Sequence, residues 1–444
     1  MIGKETILAK IRAAGVVGAG GAGLPTYVKA NATVGTVLVN GASCEPLLSS
    51  DPYLMEEEID TVIRGLKIVM ECVGATRGVI CLKGKHVRAM ESVRAAVARD
   101  PSGQLECFEL KDFYPAGDEQ VLVHEVLGVV VPERGLPLQV GAVVSNVETM
   151  YNIAFAMDDI PVTRRVLTVA GEVRNPMVVR AAVGTPLTDI IALAGGATIR
   201  DYRVVDGGPM MGRVVSDVTK AVVTKTTSGV LVLPPDHNVV LRKVMDPAMV
   251  RRISNTVCCQ CSRCTDLCPR HLLGHRLHPH ALMRVFANME LESEVAKEAL
   301  LCSECGICEK FACPMLISPR EVNAQIKRAL MKGGVKWVTS PGPYVVNAFR
   351  DERRIPTSRL IRRLDIVDYD THPHYWGEYV PKLVRLPMRM HIGAPAQCVV
   401  QVGDRVRRGD VIGEIPEKAM AARIHASIDG VVESIADGMV TIKG

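Results

Sequence analysis

Nine of the fourteen cysteines in this sequence fall in two short runs. The first reads Cys258-x2-Cys261-x2-Cys264-x3-Cys268-Pro269, and the second reads Cys302-x2-Cys305-x2-Cys308-x4-Cys313-Pro314. Three thiolates on one tight loop can cap three irons of a cubane, so a fourth must come from elsewhere. In proteins with two such clusters the distal Cys-Pro cysteine serves the other cluster. The first run obeys that spacing, and the second has one extra residue before its last cysteine. The expected ligand sets are Cys258, Cys261, Cys264 and Cys313 for one [4Fe–4S] cluster, and Cys302, Cys305, Cys308 and Cys268 for the other. Structural zinc is the alternative. Zinc sites pair two ligands from one knuckle with two from another, and two four-cysteine runs that each end in Cys-Pro fit clusters better. Cys259 falls out of register, while Cys44, Cys72, Cys81, Cys107 and Cys398 lack ligand spacing and are expected as small buried hydrophobes. Cysteine usage of this kind fits a cytoplasmic metal protein and not a disulfide scaffold.

A second chemical feature is the loop Gly18-x-Gly20-x-x-Gly23, which has the spacing of a dinucleotide fingerprint. Such a fingerprint follows a strand and opens a helix. Here the order is reversed: residues 5–14 read as a helix, Pro25 follows the last glycine, and a strand, Thr36–Asn40, comes only later. The Rossmann reading is disfavoured. What survives is the physical content: glycines let backbone N–H groups approach a phosphate or a flat ring, and Lys29 could add a positive charge.

The loop GAGGAGLPTYVK resembles the flavin loop of the NADH-oxidising subunit of respiratory complex I. Three further stretches resemble that family in the same order: NGASCEP (Asn40–Pro46), YPAGDEQ (Tyr114–Gln120) and SNVETMYN (Ser145–Asn152). The resemblance implies a noncovalent FMN with NADH stacking on it. Carried over residue by residue, it makes Gly18, Gly20, Lys29, Asn40, Asn146 and Thr149 flavin contacts. Glu45, Tyr114, Gly117, Asp118 and Glu119 would line the flavin and nicotinamide side, with Glu45 and Glu119 the catalytic candidates. Ala42 and Ser43 stand where complex I has Asp and Glu, and Ala19 stands where it has Arg.

The elements around these motifs define a multidomain α/β and α+β chain: a flavin domain over 1–160, a β-grasp domain over 161–240, a helical two-cluster domain over 241–335, a basic linker over 336–387 and a barrel-sandwich hybrid over 388–444. In the first domain, Ile7, Leu8 and Ile11 share a helical face that would pack on the domain, a targeting helix being the less favoured reading. Arg165–Val173 reads as a strand and Thr188–Ala194 as a helix closing at Gly195-Gly196. These resemble the soluble-ligand-binding β-grasp (SLBB) domain that follows the flavin domain in complex I and in the RnfC protein of the Rnf complex. Its Gly207–Met211 segment is either a spacer between flavin and clusters or a ligand platform. Ser318-Pro319 starts a helix. His271, His275, His278 and His280 follow Cys268 and are expected as exposed helix residues, with cluster tuning or a metal as the alternative. His391–Val406 and His425–Val440 echo each other, two halves of a lipoyl-like barrel. Lys418 precedes Met420 and follows no methionine, so a docking module is preferred to a covalent carrier.

Bulk numbers bound the function. The 444 residues, 48% apolar and 23% charged, describe a globular chain of several domains. A net charge of +5 and only 4% aromatics speak against nucleic-acid binding. The most basic stretch, Arg350–Arg363, includes Asp351 and Glu352 and reads as a solvated helix face or linker. No apolar run approaches the roughly 18 residues of a membrane span. A flavin accepts a hydride and a cluster takes one electron at a time, so a chain carrying both is built to split an electron pair. The barrel's position, together with YPAGDE, IALAGGAT, DGGPMMG, CTDLCPRHL and HASIDGVV, resembles the cobalamin reductases of propanediol-utilisation microcompartments. That resemblance implies electron flow from NADH through FMN and two [4Fe–4S] clusters to cobalamin, for recycling of coenzyme B12. It also implies a cobalamin adenosyltransferase and microcompartment shell proteins as partners, and a cytoplasmic location inside a bacterial microcompartment. The alternative is an RnfC-like protein that hands electrons to a protein partner.

Overall fold

The computed structural model describes residues 2–288, 290–339 and 342–444. It opens on the helix Lys4–Ala13, whose Ile7 and Ile11 are fully buried. The glycine loop follows, pinched by a bridge between Val17 and Pro25, and leads into the helix Thr26–Ala30. The strand Thr36–Gly41 comes only after these, so helix precedes loop as the sequence suggests.

That strand belongs to a parallel sheet ordered Leu105–Leu110, Arg77–Lys83, Thr36–Gly41, Ala142–Asn146. The two inner strands are almost continuously apolar because helices cover both faces; Val37, Leu38, Val39, Val79, Ile80 and Leu82 are fully buried. On one face the helices Ile59–Val73 and Val147–Met157 approach so closely that a Cβ on Gly65 would run into the Met150 carbonyl. The first of these helices buries Val62, Leu66, Val69 and Val73 along one stripe, each side chain contributing about 1.5–3 kcal/mol. Successive strands step outward from Thr36–Gly41, and the last returns to its other side. The carboxyl ends of Thr36–Gly41 and Ala142–Asn146 therefore flank a switch point, the place where open parallel sheets bind ligands.

The β-grasp unit follows. Arg164–Gly171 and Met177–Ala182 pair antiparallel, the helix Leu187–Leu193 crosses them, and Gly229–Leu233 returns parallel to Arg164–Gly171. Leu187, Ile190 and Ile191 bury against Val169, Val179 and Val232, and the helix stops at Gly195 and Gly196, both in the left-handed region. In the cysteine region the helices Pro247–Val257, Pro279–Asn288 and Pro319–Lys332 share a core of Val250, Leu282, Phe286, Val322 and Ile326. The C-terminal barrel closes two small sheets over Val384, Leu386, Ile412, Ile424 and Ile442. No helix among the described residues is long and apolar enough to cross a membrane.

Of residues 336–387, expected as a basic linker, the described elements from Ile355 onward are instead built into their neighbours. Ile355–Pro356 pairs with Phe113–Tyr114, Thr357–Leu364 is a helix, His374–Tyr379 adds an edge strand to the β-grasp sheet, and Leu383–Pro387 belongs to the barrel. Two arginines of this stretch, Arg350 and Arg354, are answered by Glu125, which lies half-buried between them, 225 and 229 residues away. A charge count along the chain cannot see so distant a partner.

Candidate functional site

Asn40, next to last in its strand, and Asn146, last in its own, are register partners at the switch point. Asn40 Nδ2 donates to the Gly117 carbonyl at 2.8 Å, and its Oδ1 accepts from Ala42 N at 3.2 Å. Glycine at 117 relieves crowding, because a Cβ there would press on Ala42, Asn40 and Cys44 side-chain atoms at 3.0–3.1 Å. The glycine loop lies over the opposite strand end: Ala19 N donates to the buried Thr149 hydroxyl at 3.0 Å, and a Cβ on Gly20 would touch Asn146 at 3.6 Å. Gly18 N closes the loop on the Leu24 carbonyl at 2.8 Å. Among the described residues the N–H groups of Gly20, Gly21 and Ala22 meet no acceptor, and all three residues are exposed. Bare N–H groups beside a strand switch point fit a phosphate or a flavin ring. Lys29, expected to face that group, donates to Glu119 at 2.5 Å and to the Val144 carbonyl at 2.8 Å. Its charge is thus already balanced by the second catalytic candidate.

Glu45 is engaged elsewhere. Its two carboxylate oxygens accept from the backbone N–H groups of Met210 and Met211, both at 2.8 Å. Burial pushes its pKa above the ordinary carboxylate range, against those two N–H groups and the nearby Lys243. Lys243 in turn donates to the Met210 carbonyl at 3.1 Å. Glu45 therefore clasps the flavin domain to the Gly207–Met211 segment. That segment sits between flavin domain and cluster loop, because Met210 also reaches Gly306; this arrangement favours the spacer reading over the ligand platform.

Three participants carried no sequence signal. Arg165, 3% exposed, rises from the β-grasp domain to donate to the Ala19 carbonyl at 2.8 Å and to pair with Glu148 of the NVET motif. Asp51 accepts from Asn146 Nδ2 at 3.1 Å, and burial raises its pKa. Cys44 accepts from Gly117 N at 2.8 Å. Each contact joins residues far apart in the chain.

The cysteines converge in two groups. Cys258, Cys261, Cys264 and Cys313 line one cavity, and Cys268, Cys302, Cys305 and Cys308 line another. Both loops wind identically: Gln260 and Ser262 flank Cys261, and Glu304 and Gly306 flank Cys305, all four in the left-handed region. Alternating right- and left-handed residues turn backbone N–H groups toward one point, a nest for an anionic cluster. The extra residue of the second run is absorbed by a π-helical turn over Cys308–Ala312, which returns Cys313 to register. Burial pushes the thiols of Cys264, Cys268 and Cys305 up to about 12, so these sulfurs ionise only against bound iron. Among the described residues no three His, Cys, Asp or Glu side chains converge on a point that a single ion could occupy. The donor chemistry and spacing fit two clusters.

The two cavities differ in exposure. Cys268, Cys302, Cys305 and Cys308 are all buried, whereas Cys261 is exposed and Cys258 half-exposed. The buried cage abuts the flavin cleft at two points. Tyr114 donates its hydroxyl to the Cys305 carbonyl at 2.7 Å, and the buried Arg270, two residues after Cys268, pairs with Asp118 at 2.9 Å. Asp118 also caps the helix Glu119–Leu127. The histidines that follow Cys268 are not the exposed helix residues expected. His275 is buried on the Val131 carbonyl at 2.9 Å, His278 pairs with Glu298 at 3.0 Å, and His280 meets Thr265 at 2.7 Å. Docking on the flavin domain covers His275, while His278 and His280 are half-buried on partners within the cluster domain itself.

The barrel braces the cleft from behind. Lys225, fully buried, donates to the carbonyls of Gly15 and Arg423, both at 2.7 Å, and so joins flavin loop, β-grasp domain and barrel. Ile392 N donates to the Gly23 carbonyl at 3.0 Å.

Comparison with known proteins agrees with this division. Family models match the Nuo51 FMN-binding domain over residues 11–155, the SLBB domain over 166–214, a 4Fe-4S dicluster domain over 257–318 and the RnfC barrel sandwich hybrid domain over 378–443. The cobalamin reductase PduS of Salmonella typhimurium is 43% identical over 441 residues, covering 99% of this chain and 96% of that protein. The cobalamin reductase PduS of Citrobacter freundii is 42% identical, with the same coverage. A component of the Na(+)-translocating ferredoxin:NAD(+) oxidoreductase complex of Acetobacterium woodii is 37% identical over 265 residues, 58% of this chain and 56% of that protein.

Proposed function

The chain belongs to the family of the PduS cobalamin reductases, and on that footing we propose that it carries electrons from NADH to cobalamin, taking cob(III)alamin toward cob(I)alamin. The observation that carries the reading is contiguity: exposed, unpaired backbone N–H groups of Gly20–Ala22 at the strand switch point, a buried four-cysteine cage tied to the same domain by Tyr114 and Arg270, and a second cage with an exposed cysteine. When bound, FMN would supply the exchange between a hydride and single electrons, and the clusters would supply one-electron transfer.

The residues do the rest. The bare N–H groups of Gly20–Ala22 and the side chains of Asn40 and Asn146 hold and orient the flavin. Thr149 fixes the glycine loop, and Gly18 closes it. Glu119 and Lys29 form an ion pair at the cleft rim, where a nicotinamide would enter. Gly117 lets the YPAGDE turn approach the ring. Glu45 acts as a positioning residue, holding the β-grasp segment between cleft and cage. Tyr114 and Asp118, through Cys305 and Arg270, fix the buried cage against the cleft. What supports the ligand sets is that each lines its own cavity. The buried set is the entry and the exposed set the exit. The product would pass to a cobalamin adenosyltransferase inside a microcompartment built of shell proteins.

The test is anaerobic. NADH added to the purified chain with its flavin and clusters bleaches cluster absorbance, and aquocobalamin added next is reduced. Bleached clusters with unchanged cobalamin would overturn the reading in favour of a protein acceptor.

A further inference from the structure

Beside the exposed cage lies a two-lobed cleft that no step above uses. The larger lobe, about 420 Å³, is lined by Arg263, Phe311, Pro314 and Arg363. The smaller, about 110 Å³, is lined by Arg242, Lys310 and again Arg363. The cleft borders the exit: Arg263 precedes Cys264, Pro314 follows Cys313, and Arg363 donates to the Cys313 carbonyl at 3.4 Å. No carboxylate lines either lobe. Among the described residues Arg242, Arg263 and Arg363 form no ion pair. Lys310 is 2% exposed and its Nζ makes no hydrogen bond; its one charge partner, the equally buried Glu309, forms a loose ion pair at 3.6 Å. A buried ammonium without hydrogen-bond acceptors is costly unless a ligand supplies them.

We propose that this cleft binds the phosphodiester of the corrinoid's nucleotide loop and so seats the acceptor beside the exit cage. The inference rests on the cobalamin reading above and adds the place and chemistry of recognition. Arginine forks suit a phosphodiester, whose two free oxygens share one charge. The larger lobe admits the nucleotide end only, so the corrin ring stays at the mouth, next to the exposed cysteines. Phe311 lines the larger lobe and offers a flat base an apolar wall.

The comparison uses aquocobalamin and diaquocobinamide, which keeps the corrin ring but lacks the nucleotide and its phosphodiester. With the holoprotein, the KM for aquocobalamin lies below that for cobinamide. Arg263→Gln and Arg363→Gln each raise the first KM about tenfold, the loss of one charge-assisted hydrogen bond, and leave the second and both kcat values in place. Equilibrium dialysis of oxidised holoprotein gives the same order without turnover, and inorganic phosphate competes with cyanocobalamin. Equal KM values for the two corrinoids, or variants that weaken both alike, would overturn the site while the reductase activity stands. Variants that slow transfer to an acidic protein acceptor but not to aquocobalamin would overturn it in favour of a protein dock. Wild-type protein that bleaches with NADH but reduces neither corrinoid would sink the functional reading itself.

Discussion

Replacing Glu45 by glutamine separates a residue of the hydride step from a residue that seats one domain on another. Glu45 accepts two backbone N–H groups at 2.8 Å, and its carboxylate is the counter-charge nearest Lys243. Glutamine keeps one acceptor and turns an NH2 toward the other N–H. The loss is one charge-assisted hydrogen bond, with the buried Met210 N–H or its neighbour left unmatched, about 2–3 kcal/mol. That shifts the balance between seated and unseated Gly207–Met211 segment by about 30- to 150-fold. Met210 touches Gly306 of the buried cage loop, so the effect falls on transfer from flavin to cage. Stopped-flow absorbance separates the phases: flavin bleaching by NADH stays within about twofold of wild type, while cluster bleaching slows and denaturant midpoints fall. Glu45→Ala does the same more strongly. A Glu45→Gln protein with normal stability and cluster bleaching, but with flavin reduction by NADH abolished, would refute the clasp and return Glu45 to the catalytic role that the motif alone implies.

Other consequences follow from the same geometry. Cys313→Ser removes the exposed cluster and halves the iron from about eight to about four per chain, yet NADH still bleaches the buried cluster. Cys268→Ser, although it lies in the first run, removes the buried cluster and stops bleaching altogether; the opposite pattern would reverse the ligand sets. Lys225 is pushed by burial from 10.5 down to about 7. The unfolded chain therefore binds the extra proton between those limits, and stability rises with pH across that window and is flat below it. The stability gap between wild type and Lys225→Met should shift by about 2 kcal/mol between pH 7 and 9, and a gap independent of pH would contradict the buried amine. Gly306 has φ +83°, and a Cβ there meets Met210 only at ordinary contact distance, so Gly306→Ala costs about 1–2 kcal/mol of backbone strain and keeps both clusters, read by thermal melting and iron content.

What the sequence determined by itself is whatever short-range spacing encodes. Three cysteines two residues apart define a cage loop, because the backbone between them has few ways to bring three sulfurs round one cube. The glycines of residues 18–23 announced a bare-backbone loop, and the shared face of Ile7, Leu8 and Ile11 announced the helix that precedes it. Even the extra residue before Cys313 was visible, although only the fold shows that a π-turn absorbs it. What the tertiary structure alone decided is the wiring. Glu45 meets Met210 at a separation of 165 residues, Asp118 meets Arg270 at 152, and Tyr114 meets Cys305 at 191. Likewise Lys29 reads as a free cation until Glu119, 90 residues on, is folded against it, and 336–387 reads as a basic linker until Glu125 is folded between Arg350 and Arg354. A charge or a hydrogen-bonding group has no fixed role until its partner is known, and partners brought together by packing leave no periodic trace in the chain.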